Sequence, residues 1–172
     1  MKLANFFIKK KIQDLAKKTA RTARFCSLSD ADNVLVVFNL NDREEVLICV
    51  EKLREFTKNI HLCAYVAKKN KEETVNTSWL YIFEEELDSK GVPTDSMVER
   101  FNMLPADILI DLTRKNNYAM QYLLLKHSSP FKVGNNSFLR DMYDLTIPMT
   151  DDTDINNYFG HILYYLLTIR SK

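Results

Sequence analysis

Two kinds of hydrophobic segment alternate along this chain. Val34-Leu35-Val36-Val37-Phe38 is an unbroken β-branched and aromatic run, the pattern of a strand covered on both faces. Ala106 to Leu112, set off by Pro105, predicts a second buried strand. Shorter candidates are Ile60 to Val66, Trp79 to Phe83, Pro130 to Gly134 and Tyr143 to Ile147. Between them the apolar positions recur at helical spacing. Val46, Cys49, Val50, Leu53 and Phe56 form one stripe, entered through a capping box of Asn41 and Glu44 and running to Lys58-Asn59. Thr94 or Asp95 starts a short helix to Phe101-Asn102, and Asn116 and Asn117 open another that reaches His127. A last helix begins near Asp154, with Ile155, Tyr158, Phe159, Ile162, Tyr165, Leu166 and Ile169 facing the core. At the other end, Ala4 to Arg24 predicts a helix with Ile8, Ile12, Leu15 and Thr19 on one side and Lys10, Lys17, Arg21 and Arg24 on another.

Strands that alternate with helices imply right-handed crossovers. The expected fold class is α/β, with a mainly parallel, Rossmann-like open sheet of about five or six strands and helices on both faces. The basic amphipathic helix of residues 1–24 precedes a core of residues 33–172, all within one domain, which suits a length of 172 residues.

Charge changes this picture at one place. Residues 1–24 carry eight lysines and arginines against the single acid Asp14, whereas the rest of the chain carries sixteen basic residues against twenty-two acids. A segment of that kind either has its own partner or docks on an acidic body. No stretch reaches the ~18 consecutive apolar residues of a membrane span, and Leu3 to Ile8 is too short and too interrupted for a signal-peptide core. Cys26, Cys49 and Cys63 are odd in number and form no C-x-x-C pair. They read as small hydrophobes in a reducing compartment, and a cytoplasmic location is expected.

In an open parallel sheet, ligands bind beyond the carboxyl ends of the strands, where successive crossovers diverge. That rule selects Asn39, Asn41 and Asp42, then Asp111, Thr113, Arg114 and Asn116, then Gly134, Asn135 and Asn136. Arg114 is placed to hold a phosphate or carboxylate at a helix N-terminus. The plainer reading has Asn41, Thr113 and Asn116 capping helices and Arg114 paired with a local acid. The sequence contains neither a G-x-G-x-x-G nor a G-x-x-x-x-G-K-[ST] loop, and His61, His127 and His161 form no H-E-x-x-H. Asp151-Asp152-Thr153-Asp154 reads as a helix start rather than a metal site. No cofactor or metal is expected, and no catalytic residue can be named.

The segments Ala106 to Thr113, Tyr122-Leu123-Leu124, Phe131 to Gly134 and Tyr143 to Ile147 resemble an uncharacterised family of small bacterial α/β proteins, which the basic opening helix and the Val34 to Phe38 strand also suit. The resemblance implies a fold and leaves the function unassigned. A strand ending in Asp-Leu, a helix and a strand ending in Val-Gly, about 45 residues in all, are also similar to the acceptor-side half of heptosyltransferase-like glycosyltransferases. That likeness implies a half without its sugar-nucleotide domain.

Two functional expectations follow. One is a non-catalytic binding or interaction module, whose N-terminal helix contacts an anionic protein or membrane surface through Lys10, Lys17, Arg21 and Arg24. Nucleic acid would suit the same charge, but nothing elsewhere in the chain extends such a footprint. The other is a small nucleotide- or sugar-phosphate-binding protein or enzyme using the crevice around Asn39, Asn41, Asp111, Thr113, Arg114, Asn116 and Asn135.

Overall fold

The structure is a computed structural model that describes residues 2–18, 22–57, 59–68, 76–114, 117–135, 142–150 and 152–171. Six strands form one sheet: β1 (Asn33–Asn39), β2 (Asn59–Val66), β3 (Leu80–Phe83), β4 (Ile108–Asp111), β5 (Phe131–Gly134) and β6 (Leu145–Thr146). Their order is β3-β2-β1-β4-β5-β6, and every neighbouring pair is parallel. The α/β class, the parallel sheet and the leading helix therefore stand as the hydrophobic pattern predicts. The two most apolar strands are neighbours at its centre, with Val34 opposite Ile108 and Val37 opposite Asp111.

Alternation along β1 explains why no polar residue interrupts it. Val34, Val36 and Phe38 face α2 (Arg43–Leu53) and α5 (Ile155–Thr168), while Leu35 and Val37 face α3 (Asp95–Asn102) and α4 (Tyr118–Lys126). All five side chains are at most 1% exposed. Each such burial is worth about 1.5–3 kcal/mol, so a polar residue on either face would cost the strand its central position.

The first helix, α1 (Lys2–Lys18), forms an outer layer. Ile8 and Ile12 are buried with Val92, Ala119 and Tyr122, so the helix lies on α4 and not on the sheet. It ends earlier than the expected Arg24. The chain must return from α4 to the sheet, and the Arg24 N–H donates to the Pro130 carbonyl at 3.1 Å beside β5. Phe25 packs at a tilt against Phe131 there, with ring centroids 5.3 Å apart. Thr19 and Arg21 lie outside the described residues.

Three helix starts form as the side-chain chemistry dictates. Thr94 accepts from the Met97 N–H, Asn117 from the Met120 N–H and Asp154 from the Asn157 N–H. The Asn41–Glu44 capping box does not form. A 3-10 turn at Leu40–Asp42 moves the start of α2 to Arg43, and the N-cap residue, Asp42, makes no side-chain cap. Its carboxylate is drawn to Arg114 instead. The same helix stops at Leu53, so Phe56 leaves the predicted stripe and is 42% exposed. Tyr165 also departs from the predicted core face and is exposed on the flank of α5. Cys49 and Cys63 are buried, and burial pushes both thiols up, that of Cys49 to about 12. No helix among the described residues is long and apolar enough to cross a membrane.

Candidate functional site

The sheet order places a topological switch point between β1 and β4. From β1 the chain crosses through α2 to β2; from β4 it crosses through α4 on the opposite face to β5. Residues at the carboxyl ends of these strands border the divergence.

Asp111 ends β4 with its side chain buried, at 3% exposure. One carboxylate oxygen accepts from the Thr113 backbone N–H at 2.9 Å and from the Thr113 hydroxyl at 2.7 Å. The other oxygen accepts from the Tyr143 hydroxyl. Burial holds the Asp111 carboxyl above the usual carboxylate range, and the three hydrogen bonds work against that shift. Burial beside Asp111 likewise pushes the Tyr143 hydroxyl up. The cluster needs Gly134, because a Cβ added there would lie 2.5 Å from the Tyr143 ring.

Arg114 follows on the same strand exit and turns toward the α2 side. Its Nε donates to Asp42 at 3.2 Å, one terminal nitrogen to Glu45 at 2.6 Å and the other to the Thr153 carbonyl at 2.8 Å. The second Glu45 oxygen accepts from the Ile155 N–H at 3.2 Å. One arginine thus ties the start of α2 to the approach of α5. The guanidinium that the sequence offers to an anionic ligand meets two carboxylates of its own chain. A recess of about 220 Å³ beside it is lined by Leu40, Asn41, Asp42, Arg43, Glu44 and Glu45, so a phosphate entering there would face three carboxylates.

The remaining crevice residues take separate places. Asn39 is half-buried at the end of β1 and Asn41 is exposed. Asn135 pairs with the Met149 backbone in both directions, accepting from its N–H at 3.0 Å and donating to its carbonyl at 3.3 Å. Asn116 and Asn136 lie outside the described residues. Of the α1 candidates, Lys10 and Lys17 are exposed, and Arg24 lies beyond the helix.

Sequence reasoning missed Tyr143, Glu45 and a buried polar group beneath β5. Lys132 is 2% exposed and donates to the carbonyls of Leu124 at 2.5 Å and His127 at 2.8 Å, closing the carboxyl end of α4. His127 Nδ1 accepts from the Ser129 N–H, which leaves Nε2 to donate to the Leu104 carbonyl at 2.9 Å. A lysine inside the otherwise apolar Phe131-Lys132-Val133 was the available signal. A second, wider groove of about 480 Å³ lies at the sheet edge between α2 and β3, lined by Arg43, Leu47, Asn76, Thr77, Trp79 and Tyr81.

Parallel strands in this order, with helices on both faces and a polar switch point, define an α/β protein of Rossmann-like architecture. The chain belongs to a family of unknown function, DUF6913, whose model matches residues 5–169. No curated protein and no solved structure matches it, and the glycosyltransferase-like order of elements stays a likeness of pattern.

Proposed function

We propose that the protein is a non-catalytic binding module that meets an anionic surface through the outward side of α1, and that a membrane leaflet fits this chemistry best. One observation carries the reading. With Ile8 and Ile12 pinned on α4, Phe6 is left 62% and Phe7 46% exposed beside the exposed Lys10 and Lys17. Residues 5–18 hold five lysines against Asp14 alone. Lys9 and Lys11 already lie over the rings of Tyr118 and Tyr122, at 5.1 and 5.5 Å, whereas Lys10, Lys17 and Lys18 are exposed. Each lysine near an anionic leaflet contributes about 1 kcal/mol, and exposed aromatic rings partition into the headgroup boundary.

The ligand-binding reading of the crevice has weaker support. Its arginine is engaged with Asp42 and Glu45, and the first turn of α2 carries acids where a phosphate would sit.

Flotation of the full chain with vesicles tests the proposal. Binding is expected to vesicles rich in phosphatidylglycerol and not to neutral phosphatidylcholine, with loss as salt rises. The double variant Lys10→Glu/Lys17→Glu should abolish it while the melting curve is kept. Equal recovery with both vesicle types, or none with either, overturns the membrane reading. Truncation of α1 is a poor substitute, since it would uncover Ala119 and Tyr122.

A further inference from the structure

Tyr158 lies on the inward side of α5, in the cluster that holds Val36, Phe38 and Leu112, and is 1% exposed. Its ring belongs to that core, yet its hydroxyl has no hydrogen-bond partner among the described residues. Such a group is rare in a folded chain, because burial strips its hydration and nothing within the chain replaces it.

Asp111 is close by. The Arg114 bond to the Thr153 carbonyl holds the approach of α5 beside the exit of β4, and burial together with the Asp111 charge pushes the Tyr158 hydroxyl up. Tyr143 reaches the same carboxyl from the opposite layer, the one that holds Leu35 and Val37. Two tyrosines from opposite faces of the sheet thus converge on the end of β4, and only Tyr143 is bonded to it.

The lone pairs of Asp111 are unequally used. A carboxylate accepts about four hydrogen bonds, shared between its two oxygens. Oδ1 takes two from Thr113, through the backbone N–H and the hydroxyl, whereas Oδ2 takes one, from Tyr143. An acceptor position therefore remains on the carboxyl whose charge reaches the unpaired phenol. A buried donor and a buried acceptor that lie near each other, beyond direct hydrogen-bond distance, are suited to a small molecule that accepts from one and donates to the other. Water does both through a single oxygen. A simple anion could not donate to Asp111, and a metal cation could not accept from Tyr158.

We infer that one ordered water is bound at the carboxyl end of β4, accepting from the Tyr158 hydroxyl and donating to Oδ2 of Asp111, so that α5 is tied through it to β4 and Tyr143.

A crystal structure of the full chain, at a resolution that shows ordered waters, tests the site. Density is expected within hydrogen-bond distance of both Tyr158 Oη and Asp111 Oδ2. In solution the sign of Tyr158→Phe is the test. Loss of a hydroxyl with no partner of any kind would raise the melting temperature or leave it unchanged, whereas loss of one that holds a bridging water should lower it by about 2–4 °C. Tyr164→Phe, exposed on the same helix, should leave it unchanged, and circular dichroism checks that both variants are folded. No density between the two side chains, a direct bond from Tyr158 to Asp111, or a Tyr158→Phe chain at least as stable as wild type overturns the inference.

Discussion

The ring of Tyr143 occupies the space that a side chain at Gly134 would need, and from there its hydroxyl reaches the buried Asp111 carboxylate. β5 and β4 are neighbours, so one missing Cβ on β5 decides whether the end of β4 is hydrogen-bonded. Gly134→Ala should displace the ring and lower the unfolding free energy by about 1–3 kcal/mol. Tyr143→Phe, which keeps the ring and leaves the buried Asp111 carboxyl without that hydrogen bond, should cost about 1–3 kcal/mol. Urea denaturation of the two variants and their combination is the check. The losses should fall well short of additive, because both act on the same contact.

Asp111 also makes a pH-dependent contribution. Burial raises its folded-state pKa above the unfolded value of about 3.9, so the folded protein holds the proton more tightly. Its contribution is full below about pH 3.9 and is lost as pH rises through the folded pKa. Asp111→Asn keeps the acceptor for Thr113 and removes the titration. The stability of that variant relative to wild type should therefore climb as pH is raised above about 4, by at most about 1.4 kcal/mol per unit, as read from denaturation at a series of pH values.

His127 works in the opposite direction. Burial, with Lys132 nearby, lowers its pKa below the usual 6.5 or so. Its contribution is complete above about pH 6.5 and declines as pH falls from there to the lower folded value. Protonation would also place a hydrogen on Nδ1, which accepts from the Ser129 N–H. The melting temperature should fall on acidification across this window, and His127→Gln should flatten that part of the profile.

Removing the Arg114 side chain should cost about 1–2 kcal/mol, a figure held down by the partial exposure of Glu45. Arg114→Lys should recover less than half, since a single ammonium cannot serve Asp42, Glu45 and the Thr153 carbonyl at their separate positions. A double-mutant cycle with Glu45→Gln should return a coupling of about 0.5–1 kcal/mol.

Beneath β5, Lys132→Met preserves most of the buried volume but withdraws two hydrogen bonds from the last turn of α4. A loss of about 1–3 kcal/mol is expected, with faster amide exchange confined at first to residues 124–127. Exchange unchanged in that turn would mean that the carbonyls find other donors.

The sequence by itself determined the α/β class, the central pair of strands and three helix caps, because these depend on local spacing and on side chains within three residues of the backbone they serve. Continuous apolar runs such as Val34 to Phe38 have only one stable setting in a domain of this size, between two helix layers. It also brought Asp111 and Thr113 together, since only Leu112 separates them. Tertiary structure decided the rest of the site. Glu45 reaches Arg114 across 69 positions and Tyr143 reaches Asp111 across 32, distances over which pairing is set by strand register and crossover path. The end of α1 was likewise beyond local reading: helical propensity runs on toward Arg24, but Ile8 and Ile12 hold the helix on α4 and the chain must leave it to reach β5.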